Sequence, residues 1–158
     1  MIAESKQTDT DQATLRTILD LATREVFELM AGITLDGRGE EAATELDMTA
    51  MNGLAGSLCG VISVRCSSEA ARSIAGKMLG VSEVEAERSM RDAIAEIVNM
   101  VAGNFKSKLT GSDHCMLSIP TVISGADYQL CSVDVGKVVQ LFVSFGKYPI
   151  NVAMELHN

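Results

Sequence analysis

Tryptophan is absent from this chain of 158 residues, and aromatic residues make up only 4% of it. Packing therefore falls to Leu, Ile, Val, Ala and Met, and the expected core is aliphatic. Basic residues are in deficit: 13 Lys and Arg stand against 21 Asp and Glu, a formal net charge of −8 with a pI near 4.7. That balance argues against binding DNA, RNA or anionic membranes, which are held by basic faces. No apolar run approaches the ~20 residues needed to span a bilayer. The opening MIAESKQTDTDQ has neither the basic nor the apolar region of a secretory leader. Cys59, Cys66, Cys115 and Cys131 show no C-x-x-C spacing and read as buried small hydrophobes of a reducing, cytoplasmic protein. His114 beside Cys115 does not make a zinc pair, since adjacent strand residues point to opposite faces and no second pair follows. Stock catalytic signatures are missing too. There is no nucleophile elbow and no H-E-x-x-H, and none of the Gly-Lys pairs at 76–77, 136–137 and 146–147 is followed by Ser or Thr.

What is present is ordinary globular composition, 47% hydrophobic and 22% charged. A chain of this length makes one domain that buries about two-thirds of the surface its unfolded form exposes. Residues 1–11 are polar and expected to be flexible, with a single domain over 12–158. Leu15, Ile18, Leu19, Ala22, Val26 and Leu29 recur at helical steps, predicting a helix from Gln12 to Ala31 stopped by Gly32. After a loop at 37–40, Thr44, Leu46, Met48 and Ala50 alternate with Glu45, Asp47 and Thr49, the period of a half-buried strand. Asn52-Gly53 reads as a hairpin turn, with a return strand through Cys66 and Gly56 and Gly60 marking a bulge or close packing. Ser67 and Ser68 can cap a helix ending at Leu79 and Gly80. Ser82 and Glu85 form a capping box opening a long helix to Leu109. Beyond Gly111, Ser112 and Asp113, strand patterns cover 114–119, 127–134, 137–146 and 148–156. This order predicts an α+β fold, a mainly antiparallel sheet of about six strands with helices packed on one face.

The long helix carries two stripes. Met90, Ile94, Ile97, Val101 and Phe105 form the core stripe. Asp92, Glu96, Asn99, Gly103 and Lys106 advance by 4, 3, 4 and 3 and form a row on the opposite side, toward solvent. Charged helix positions usually make a plain solvated face. Asn is a poor helix former, however, and an interior Gly costs about 1 kcal/mol relative to Ala. Gly103 would leave a shallow place for another backbone, either a docked partner's or that of a neighbouring element of this chain. Glu96 and Asn99 would present an acceptor and a mixed donor and acceptor to whatever docks. Glu25-Val-Phe-Glu28-Leu-Met-Ala-Gly32 aligns with Glu96-Ile-Val-Asn99-Met-Val-Ala-Gly103, with three identities, four apolar matches and Glu28 opposite Asn99. The pattern suggests pseudo-duplicated halves.

Asp92-x3-Glu96-x2-Asn99, followed by Met-Val-Ala-Gly103-Asn-x-Lys106 and Leu117-Ser-Ile-Pro120, resembles the signature of the CheC/CheX/FliY family of chemotaxis phosphatases, and CheX-type members in particular. The resemblance implies a CheC-like fold and a phosphatase that hydrolyses the aspartyl-phosphate of a CheY-like response regulator. It implies that Asn99 orients the attacking water and that Glu96 pairs with the regulator's conserved lysine, which makes these two the catalytic candidates. Asp92, Gly103 and Lys106 are the candidate partner contacts, although Lys106 also reads as an ordinary solvated lysine. Glu28 would leave the first copy inactive. No cofactor of its own is implied, because the Mg²⁺ would belong to the regulator; a homodimer is implied by the same resemblance. The competing readings are a non-catalytic adaptor for such a regulator, like the flagellar-switch members of the family, and a sensor with a ligand among the nine Met.

Overall fold

A computed structural model of the chain describes residues 11–37, 46–109, 114–125, 128 and 133–157. Helix α1 spans Gln12–Ala31 and ends on Gly32, whose φ of +62° lets its N–H and that of Ile33 return to the carbonyls of Glu28 and Phe27. Leu15, Leu19, Ala22 and Val26 are buried as their spacing demands, but Leu29 is 79% exposed. In the last two turns the inward side is carried by Val26, Phe27 and Ala31 instead.

Strand β1 is Asp36–Gly37, β2 Met48–Ala55 and β3 Gly60–Cys66. The expected turn at Asn52-Gly53 does not exist: β2 runs straight through it, with Asn52 opposite Ile62 and Gly53 opposite Val61. The chain reverses between Ala55 and Gly60, at Gly56, whose φ of +112° only glycine adopts readily. Close packing governs both flanking glycines, as expected. A Cβ on Gly56 would lie 2.0 Å from the His114 carbonyl oxygen, and one on Gly60 2.0 Å from that of Glu155.

Helix α2 is Ser68–Leu79, opened by the Ser67 hydroxyl accepting from the Ala70 N–H at 3.1 Å and closed by Gly80 at φ +68°. The helix expected over 82–109 is broken. Ser82 caps only a single turn, α3, at Glu83–Ala86; a 3₁₀ turn, Glu87–Ser89, leads into α4, Met90–Lys108. Three small residues, Ala75, Ala86 and Ala93, pack together at this break.

The later strands are β4 (Met116–Leu117), β5 (Thr121–Ser124), β6 (Val135–Phe145) and β7 (Tyr148–His157). The strand expected at 127–134 falls largely outside the described residues, and 133–134 form a bend before β6. The expected 114–119 strand shrinks to two residues, and β5 is added after Pro120. Among the described residues seven strands, one more than expected, pair in the order β1-β6-β7-β3-β2-β4, with β5 also on β2 and every pairing antiparallel. α1, α2 and α4 pack together on one face of this sheet. Leu15, Leu19, Phe27, Ile62, Ile94, Ile97, Phe105 and Met154 fill the space between helices and sheet, so the fold is α+β as the element order required. Among the described residues no helix is long and apolar enough to cross a membrane. Cys66 and Cys115 are buried as expected, whereas Cys59, in the reversal between β2 and β3, is exposed. The first ten residues and Cys131 lie outside the described residues.

Candidate active site

Ile94, Ile97, Val98, Val101, Ala102 and Phe105 of α4 are buried against the sheet and α1, which turns the opposite face of the helix away from the core. All five residues of the row lie on that face, but not at equal depth. Asp92 and Glu96 are exposed, while Asn99, Gly103 and Lys106 are half-buried. The reason is the broken edge of the sheet. β5 pairs with Met48–Met51 and β4 with Leu54–Ala55, so the stretch between them, Ser118 to Pro120, interrupts the edge strand beside the lower half of α4. Leu117 then flanks Gly103, where a Cβ would meet only its Cδ1 at 3.9 Å. Among the described residues no backbone from outside α4 lies within 4 Å of that Cβ position.

Asn99 is held from below. Its Oδ1 accepts from Nδ2 of Asn52 at 3.0 Å, and the same Nδ2 donates to the Ser118 carbonyl at 3.2 Å. Ser118 is itself pinned: its N–H donates to the Gly53 carbonyl at 2.9 Å, and its Oγ accepts from the Gly53 N–H at 2.8 Å. Asn52 is wholly buried, and its Oδ1 has no hydrogen-bond partner among the described residues. Sequence reading missed Asn52 by assigning it to a turn. The signal available was the alternation Met48, Ala50, Asn52, Leu54, which continues through the supposed turn on the inward parity.

The first copy of the pattern has a different fate. Glu25, the counterpart of Glu96, accepts from Asn104 Nδ2 at 2.9 Å and pairs with Lys108 Nζ at 2.9 Å. Those two bonds, Asn104 first and then Lys108, hold the Glu25 carboxyl below its ordinary value. Glu28 is exposed, and α1 stops at Gly32, whereas α4 continues past Gly103 to Lys108. Among the described residues no group of three or more His, Cys, Asp or Glu could hold a metal ion.

A family model described as chemotaxis phosphatase CheX matches residues 48–143, which include β2, all of α4 and the Ser118 bend. The chain belongs to the CheX family. No curated protein matches it at the level of sequence. Among solved structures, the chemotaxis protein CheX of Vibrio vulnificus is 21% identical with a TM-score of 0.77, the match covering 93% of this chain and 99% of that one. A CheX-CheY complex with BeF3 and Mg²⁺ from Borrelia burgdorferi gives 20% identity and a TM-score of 0.74, covering 90% and 97%. FliY of Thermotoga maritima is 17% identical with a TM-score of 0.63, covering 100% and 92%. The likeness places this CheX-family chain in the CheC/CheX/FliY fold.

Proposed function

We propose that this CheX-family protein dephosphorylates the aspartyl-phosphate of a CheY-like response regulator. The observation that carries the proposal is the pair Glu96 and Asn99, one turn apart on the outward face of α4, with Asn99 fixed by Asn52 rather than free to swing. An acyl phosphate is already reactive. What accelerates its hydrolysis is an attacking water held in line and a setting that tolerates the charge spread over the phosphoryl oxygens. A neutral carboxamide can hydrogen-bond that water without repelling those oxygens, so Asn99 is assigned the water. Glu96, exposed one turn earlier, is assigned to the regulator's lysine, an ion pair that would seat the helix over the phosphorylation site. Asp92, Gly103 and Lys106 extend the contact along the same face, and the exposed Met116 of β4 and Ile119 of the adjoining bend add apolar surface beside it.

The Mg²⁺ of the reaction is assigned to the regulator, a reading supported by the CheX-CheY complex with BeF3 and Mg²⁺. Cytoplasmic localisation and a homodimer complete the proposal; light scattering tests the latter. The central test mixes the protein with a phosphorylated receiver and follows loss of the phosphoryl label against spontaneous decay. Wild type should accelerate decay, Asn99→Ala and Glu96→Ala should not, and Glu28→Ala should match wild type. Binding without acceleration by any cognate regulator would leave an adaptor in place of an enzyme. A large loss on Glu28→Ala would refute the single active copy.

A further inference from the structure

Asn52 stands on the inward face of β2 between Ala50 and Leu54, a place where the alternation calls for an apolar side chain. Its amide nitrogen spends both hydrogens, one on Asn99 Oδ1 at 3.0 Å and one on the Ser118 carbonyl at 3.2 Å. A main-chain carbonyl can only accept. Ser118 therefore dictates which end of the Asn52 amide points toward the site. Asn52 in turn dictates Asn99, which must answer a donor with its oxygen. The Ser118 carbonyl is locked in place by the two Gly53 bonds, so this sequence of constraints begins in the sheet and ends at the helix surface.

We infer that Asn52 is a positioning residue for Asn99: it holds the Asn99 carboxamide with Nδ2 turned outward, so that Asn99 meets the attacking water as a hydrogen-bond donor. The inference rests on the phosphatase reading for its catalytic meaning, though not for its geometry. A water that receives an N–H on one lone pair keeps the other for phosphorus and both protons for acceptors around it. In Asn52→Leu the helix face keeps its shape but the Asn99 amide can rotate. In Asn52→Asp the donor becomes an acceptor; the new carboxylate repels the Ser118 carbonyl and attracts Asn99 Nδ2, which turns the Asn99 amide around.

The experiment uses the full chain with a phosphorylated receiver, together with NMR of the Asn side-chain amides. Both Asn52 amide protons should exchange slowly in wild type, and the Asn99 amide pair should shift in Asn52→Asp. Both variants should lose about tenfold to a hundredfold in maximal rate. The half-saturating concentration should stay within about twofold, because Asn52 is buried and cannot touch a partner. A folded variant with the wild-type maximal rate, or Asn52 protons that exchange as freely as those of an exposed amide, would overturn the inference. If Asn52→Leu does not fold, the smaller Asn52→Ser and the wild-type exchange data decide. If wild type fails to accelerate decay, the phosphatase reading falls, and the exchange and shift measurements still settle whether Asn52 orients Asn99.

Discussion

Gly103 separates stability from docking, because the two pull in opposite directions there. It lies inside α4, which continues to Lys108, and it has no positive φ to protect. An added Cβ meets a single atom, Leu117 Cδ1, at 3.9 Å, an ordinary van der Waals contact. Nothing among the described residues therefore opposes Gly103→Ala, and the helix gains what alanine offers over glycine, about 1 kcal/mol. For a chain of this size that raises the melting temperature by about 2–4 °C, measurable by circular dichroism on heating. If the glycine is kept to let a partner's backbone approach beside Asn99, the same change holds that backbone off. The half-saturating protein concentration in the dephosphorylation assay should then rise, with maximal rate little changed. Gly103→Gln, another good helix former, should give a similar thermal gain and a rise of about tenfold, equivalent to about 1.4 kcal/mol of lost docking. A lower melting temperature for Gly103→Ala would refute the open space beside the helix. A higher one with unchanged half-saturation in both variants would refute the docking role.

Glu25, held below its ordinary 4.5, binds a proton less readily in the folded chain than in the unfolded one. Its stabilising effect is therefore complete above the ordinary carboxylate range and is lost as pH falls through the lowered folded value. Glu25→Gln should be less stable than wild type at neutral pH, with the gap closing in acid; denaturant midpoints across pH check this, and a constant gap would refute it. Burial, and secondarily the Asp47 carboxylate, push the Cys66 thiol up to about 12. A maleimide at neutral pH should label Cys59 in the folded protein and spare Cys66 until denaturant is added, as peptide mass mapping would show; prompt labelling of Cys66 would contradict its burial. On the proposed function, a receiver that is itself acidic should bind this chain of net charge −8 more tightly at moderate salt, as long-range repulsion is screened. A monotonic loss of affinity with salt would instead mean that local pairs such as Glu96 with the receiver's lysine dominate.

Elements whose start and stop are written in neighbouring residues were legible. α1 and α2 end where Gly32 and Gly80 adopt positive φ, and Ser67 opens α2 through its own hydroxyl. Elements decided by distant partners were not. Asn-Gly is a strong turn signal in isolation, yet β3 on one side and Ser118 on the other pair with that stretch and hold it extended. The break before α4 is a 3₁₀ turn where Ala75, Ala86 and Ala93 meet, a contact that no periodicity reveals. The same division runs through the site. Asp92, Glu96, Asn99, Gly103 and Lys106 share a helix, so their common face follows from 100° per residue. Asn52 joins Asn99 across 47 residues of chain, a contact that exists only once the sheet has formed.

The two copies of the eight-residue pattern show why a motif alone does not make a site. In both, a glutamate precedes the fourth position by three residues. In α1 that glutamate is occupied by Asn104 and Lys108, and the helix ends at the glycine; the pattern has become a clamp between α1 and α4. In α4 the helix runs on past the glycine, and beneath the fourth position the sheet supplies a buried amide. Restoring asparagine in the first copy with Glu28→Asn would thus supply the missing side chain but not its setting, since Glu25 would still be paired with Lys108. What separates the copies is the setting of each helix more than the one substituted residue, and on the proposed function only the copy in α4 has the setting of a site.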